Sequence, residues 1–155
     1  MNLTKIAGKF FLPRQKEIER HYTEPEALQH EELNYLISKG KQTEYGRNHL
    51  MGAVDNYDDF RDRLPICTYE DLKSDIDRMR HGDEDVLWPG QTRWYAKSSG
   101  TTNDKSKFIP ISPEGLKNIH YKGGADVVAL YLRNHPDSRI FDGKSLILGG
   151  SHSPN

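Results

Sequence analysis

Residues 94–114 read WYAKSSGTTNDKSKFIPISPE, and three physical requirements follow one another within them. Trp94–Lys97 and Phe108–Ile111 are short runs of aromatic and β-branched side chains, which suit extended backbone. Between them lies a polar stretch of serine, threonine, glycine, asparagine, aspartate and lysine that neither strand nor helix favours. Ser112, Pro113 and Glu114 then supply an N-cap, a first helical residue with no amide proton to satisfy, and an acid suited to the positive end of the helix dipole. The succession strand, loop, strand, helix predicts a mixed α/β fold.

The predicted helix runs to about Arg133. Gly123 and Gly124 weaken it by roughly 1 kcal/mol each relative to alanine, which implies close packing against another backbone. Beyond His135–Pro136 the run Ser145–Leu148 predicts a last strand. Gly149–Gly150, Ser151 and His152 follow it, at the strand end where α/β ligand sites often sit.

Upstream the character is helical. Pro13 to Gly40 is glycine-free until its end and broken at Thr23–Pro25, predicting two helices or one kinked helix, with Thr23 and Glu26 spaced as a capping box. Leu33, Leu36 and Ile37 mark one face of the second segment. Shorter helices are expected over Glu44–Leu50 and Asp58–Arg63, the latter stopped by Pro65. Thr68 and Asp71 open the clearest helix, with Tyr69, Leu72, Ile76 and Met79 along one side and His81–Gly82 closing it.

The chain is thus expected to be a single incomplete domain over residues 1–155. Residues 1–92 form a mainly helical lead, and 93–155 begin a β/α region with a polar loop at 98–107. Counting glycine and setting tyrosine aside, about 37% of the 155 residues are apolar, against roughly 45–50% in typical domains, so a thin core is expected. Both that composition and the end just after an apolar strand suggest truncation. A strand left at a sheet edge also predicts self-association.

Lys and Arg number 22 against 23 Asp and Glu, which argues against a protein built to coat nucleic acid or an anionic membrane. The halves differ, with 13 basic and 18 acidic residues in 1–92 and 9 basic and 5 acidic in 93–155, so an anionic ligand favours the second half. One cysteine, Cys67, permits no internal disulfide, and the opening MNLTKIAGKFFLP is too short and interrupted for a signal sequence. A soluble, cytoplasmic protein is expected.

The loop Ser98–Lys107 carries the chemistry. Gly100 lets backbone approach an anion, several N–H groups can converge on it, hydroxyls donate further bonds, and lysines add charge, which together suit phosphate oxygens. The competing reading is a polar surface turn. A P-loop would need a second glycine before the lysine and a helix directly after it; Gly100–Ser106 lacks the first, and Phe108–Ile111 replaces the second with a strand. No G-x-G-x-x-G occurs either.

These residues resemble the phosphate-binding loop of acyl-adenylate-forming enzymes. S-S-G-T-T followed by K-F-I-P, with P-I-C-T-Y-E-D-L (residues 65–72) before it, is most similar to the auxin-responsive acyl acid–amido synthetases of plants and their bacterial homologues. Asn103 and Ser106 stand where most of the superfamily has glycine and proline, and the loop is about one residue longer.

The resemblance implies a ligase that activates a carboxylic acid with ATP and passes the acyl group to an amino acid's amine, with 93–155 the start of its nucleotide-binding β/α region and 98–107 its phosphate loop. Its partners would be those small molecules, with neither nucleic acid nor membrane involved. Carried over by position, Ser98, Ser99, Gly100, Thr101 and Thr102 would grip the phosphates and Lys107 would be the catalytic lysine closing the loop, with Lys105 in the inserted part. ATP and Mg are the implied cofactors, with the Mg ligand outside this chain. The chain alone is expected to be inactive. Alternatives are an acyl-CoA or acyl-protein synthetase of the same superfamily, or a non-catalytic helical interaction module.

Other candidates carry less. His30-Glu-Glu-Leu-Asn34 misses the second histidine of a zinc motif, and the seven histidines are scattered among charged neighbours. Cys67, with no basic residue beside it, is expected to be a buried structural thiol. The acidic run Asp83–Asp85 reads as a solvated turn. Trp88, Trp94 and Tyr95 bracket the approach to the loop and are more often core than cleft.

Overall fold

A computed structural model describes residues 2–98 and 106–146. Its helical lead begins one element earlier than expected: the stretch rejected as a signal sequence forms helix α1, Leu3–Phe11, with the Asn2 side chain accepting from the Lys5 N–H. A 3-10 turn at Leu12–Arg14 leads into α2, Gln15–Thr23, and α3, Pro25–Gly40. The expected break at Thr23–Pro25 is present, but the capping box is not. Pro25 occupies the first helical position and fixes the cap at Glu24, so Thr23 belongs to the preceding helix and donates its hydroxyl to the Glu19 carbonyl at 3.2 Å.

Helices α4, Glu44–Asn48, α5, Tyr57–Arg63, and α6, Tyr69–Arg80, follow as the local signals predict. At the start of α6 the Asp71 carboxylate accepts the N–H and the hydroxyl of Thr68, both at 2.7 Å. These two bonds hold the carboxyl below its ordinary range. The far end of α6 is tied back to α4 by Arg78, which clasps Glu44 through both terminal nitrogens at 2.9 and 2.8 Å. Asp83 accepts from Arg78 Nε and Asp85 from the Gly90 N–H, so the acidic run folds its own turn.

Strands β1, Trp94–Lys97, and β2, Phe108–Ile111, form an antiparallel hairpin in the register Trp94↔Ile111 to Lys97↔Phe108. Ser112 then caps a single α-helical turn, α7, Pro113–Gly115, through its hydroxyl and the Gly115 N–H. Leu116–Tyr121 winds as a π-helix, and α8, Lys122–Asn134, completes the run. No backbone presses on Gly123 or Gly124, which face open space, so the packing expected there is absent. Ser145 and Leu146 carry no strand pairing, and the rest of the expected strand, with Gly149 to His152, lies outside the described residues.

The buried apolar side chains are few, as the composition predicts. Ile37, Met51 and Val54 make one cluster, with Leu33, Phe60 and Leu64 against it. Ala129 and Leu132 of α8 are buried on the side that meets α1 and the Leu12–Arg14 turn, where Arg14 pairs with Asp126 at 2.6 Å. Among the described residues no helix is long and apolar enough to cross a membrane.

Candidate functional site

The hairpin brings the two ends of the polar loop together. The Ser98 N–H donates to the Lys107 carbonyl at 2.9 Å, and the Lys107 N–H donates to the Ser98 side-chain oxygen at 3.0 Å. Ser98 and Lys107 therefore form the neck of the loop. Ser99, Gly100, Thr101, Thr102 and Lys105 lie outside the described residues.

Pairing alternates along an antiparallel ladder, so the position after Lys107 turns its N–H away from β1. Phe108 occupies it and donates to the Tyr69 hydroxyl of α6 at 3.1 Å. The same alternation places Pro110, opposite Tyr95, where no ladder donor is required.

Tyr69 makes a second contact with the neck: the Lys107 ammonium lies 5.3 Å from the centre of its ring. At the other end of α6 the Arg80 guanidinium sits 3.7 Å from the centre of the Phe108 ring, with the Lys97 ammonium 6.0 Å from it. Three cations thus gather on two aromatic rings beside the loop, an arrangement stabilised by the negative ring faces. Residue typing of the loop alone does not reveal Tyr69, Arg80 and Phe108. The available signal was that Tyr69 and Arg80, three turns apart, share one face of α6.

Beside the hairpin lies a cleft of about 1000 Å³ walled by Tyr35, Trp88, Trp94 and Tyr95, with Glu114 and Lys122 among its polar groups. Trp88 is half-buried and Trp94 is 58% exposed, so these aromatics line a cleft instead of filling a core. Glu114 accepts from Lys39 at 3.3 Å and from the Trp88 indole N–H at 3.4 Å. Its own backbone amide, and then Lys39 and Trp88 against the opposing effect of burial, hold its carboxyl below the usual range. Burial pushes the Tyr95 phenol up, with Arg80's charge opposing. Part of the π-helical segment, including Asn118 and His120, completes the wall; such segments recur at functional sites.

A second, smaller cavity of about 470 Å³ exposes Cys67, His49 and Tyr45. Cys67 is half-buried, more open than expected, and its sulfur shares a hydrogen bond with the Tyr45 hydroxyl at 3.3 Å. Burial and then that bond push the Tyr45 phenol up to about 12.

The GH3 family N-terminal domain matches residues 14–154 of the chain. The indole-3-acetic acid-amido synthetase GH3.15 of Arabidopsis thaliana is 35% identical over 127 residues, covering 81% of this chain and 20% of the relative. GH3.4 of the same plant is 35% identical over 110 residues, 70% of this chain and 18% of the relative. A probable indole-3-acetic acid-amido synthetase, GH3.7 of Oryza sativa subsp. japonica, is 33% identical over 106 residues, 64% of this chain and 17% of the relative. The chain spans about a fifth of the length of the curated relatives it matches.

Proposed function

The chain belongs to the GH3 family, and from that premise we propose that it is the N-terminal part of an ATP-dependent ligase that activates a carboxylic acid by adenylation and transfers the acyl group to the amine of an amino acid. The observation that carries this reading is the neck of the polar loop, where Ser98 and Lys107 are paired and Lys107, Lys97 and Arg80 gather beside it. The relatives' names as amido synthetases support the transfer half.

The donor set suits a polyphosphate: a hydroxyl-rich loop between rigid strands, with fixed cations at its base. When bound, ATP supplies the activated phosphorus that the acid's carboxylate oxygen attacks, with pyrophosphate leaving. The chain's own residues have three tasks. Ser98 and the Ser99–Thr102 segment donate hydrogen bonds to the phosphates, Lys107 neutralises charge that builds on the departing pyrophosphate, and the hairpin holds Ser98 and Lys107 together at the neck as that charge develops. The ligand for accompanying Mg belongs to another part of the full-length protein. In the second step the amine nitrogen would attack the acyl carbon and give up a proton to solvent, the bond to the AMP oxygen would break, and AMP would leave.

The test is acid-dependent exchange of labelled pyrophosphate into ATP by the full-length protein, over a panel of carboxylic acids. Exchange with at least one acid, and AMP release on adding an amino acid, are the expected results. No exchange with any acid overturns the reading.

A further inference from the structure

Two independent contacts converge on Tyr69, a residue that lies outside the loop and 38 positions before Lys107 in sequence. Its hydroxyl takes the one N–H at the start of β2 that the hairpin leaves unpaired, and its ring lies under the Lys107 ammonium. The first contact fixes the backbone immediately after Lys107. The second fixes the far end of the same side chain. A lysine has four side-chain torsions to order, so a ring that restrains the ammonium in advance removes part of the rotamer-entropy cost of ligand binding.

We infer that Tyr69 is a positioning residue for Lys107: it sets the direction and height of the Lys107 ammonium for a phosphate group. The inference rests on the proposed phosphate role of the loop. Arg80 supports the same strand from the other end of α6 through the Phe108 ring, so the helix holds β2 at two points three turns apart.

The experiment is a double-mutant cycle in the full-length protein, read by pyrophosphate exchange with ATP varied at saturating acid and then acid varied at saturating ATP. Tyr69→Leu removes both contacts and is expected to lower kcat/KM for ATP about tenfold or more, while KM for the acid stays unchanged. In a Lys107→Ala background the same change is expected to have almost no further effect, because a residue acting through Lys107 has nothing left to position. Tyr69→Phe keeps the ring and loses the hydroxyl, so it should fall between wild type and Tyr69→Leu and show faster hydrogen exchange at the Phe108 amide.

Additive losses in the double mutant, or equal shifts in the KM values for ATP and acid, would make Tyr69 merely structural and overturn the inference. If Tyr69→Leu fails to fold, Tyr69→Phe carries the cycle, and wild-type kinetics from it overturn the inference. A wild-type protein without acid-dependent exchange overturns the proposed function and this inference with it; an active wild type with insensitive variants overturns the inference alone.

Discussion

The Asp142 carboxylate caps the first helix from 139 residues away, accepting the Leu3 N–H at 2.7 Å through one oxygen while the other lies 3.4 Å from the Thr4 hydroxyl oxygen. The same Thr4 oxygen accepts the Phe141 N–H at 3.0 Å, and Phe11 stacks on Phe141, closing a long-range joint between α1 and the segment that follows α8. An N–H in the first turn of a helix has no partner within it, so the carboxylate satisfies a group that would otherwise need water.

Burial pushes the Asp142 carboxyl up, but the Leu3 amide, Arg139 and Thr4 together more than offset it and leave it below the ordinary range. A carboxyl with a depressed folded pKa contributes stability that is complete above its unfolded value and lost as pH falls through the folded one. Asp142→Asn should therefore lower the Tm at neutral pH and flatten its fall below about pH 4. Thermal scans of both proteins from neutral pH to acid check this; parallel curves would contradict it.

Tyr45 gives the opposite limb. Its phenol pKa is raised to about 12 by burial and by the bond to Cys67, so its contribution to stability is complete below about pH 10, the ordinary tyrosine value, and lost as pH rises through the folded one. Ultraviolet titration should show Tyr95 and Tyr45 ionising late, the Tyr45 transition near pH 12. Cys67→Ala should bring that transition to lower pH without abolishing the shift, since burial is the larger cause.

Glycines 46 and 123 should respond with opposite signs. A Cβ on Gly46 would overlap the backbone carbonyl of Gly40, whereas one on Gly123 meets nothing. Gly46→Ala should cost about 1–3 kcal/mol or more through forced backbone displacement. Gly123→Ala, inside α8, should stabilise by up to about 1 kcal/mol through helix propensity. Urea unfolding of the two variants measures both.

Lys107→Ala in the full-length protein should slow acid-dependent pyrophosphate exchange by roughly 10- to 100-fold, the equivalent of about 1.5–3 kcal/mol for a charge-assisted contact. Circular dichroism should be unchanged, because the Lys107 backbone and not its ammonium makes the bonds of the neck. Wild-type exchange in the folded variant would remove the loop from the phosphate site.

Elements whose causes are local follow directly from the order of residues. Trp94–Lys97 and Phe108–Ile111 are strands because side-chain type and the intervening polar loop leave no better choice, and α6 starts at Tyr69 because Thr68 and Asp71 sit three residues apart. The family resemblance was legible for the same reason, being carried by two contiguous motifs. At Thr23 a local signal failed because another local rule overrode it: Pro25 moved the cap to Glu24. The tertiary structure alone decided that Tyr69 meets Phe108, that Arg78 clasps Glu44, that Asp142 caps α1, and that four aromatics wall one cleft. Hydrophobic period and turn chemistry act over a few residues, whereas these pairings span 34 to 139 positions. They depend on the path of the whole chain, which fixes their geometry only once the helices have packed.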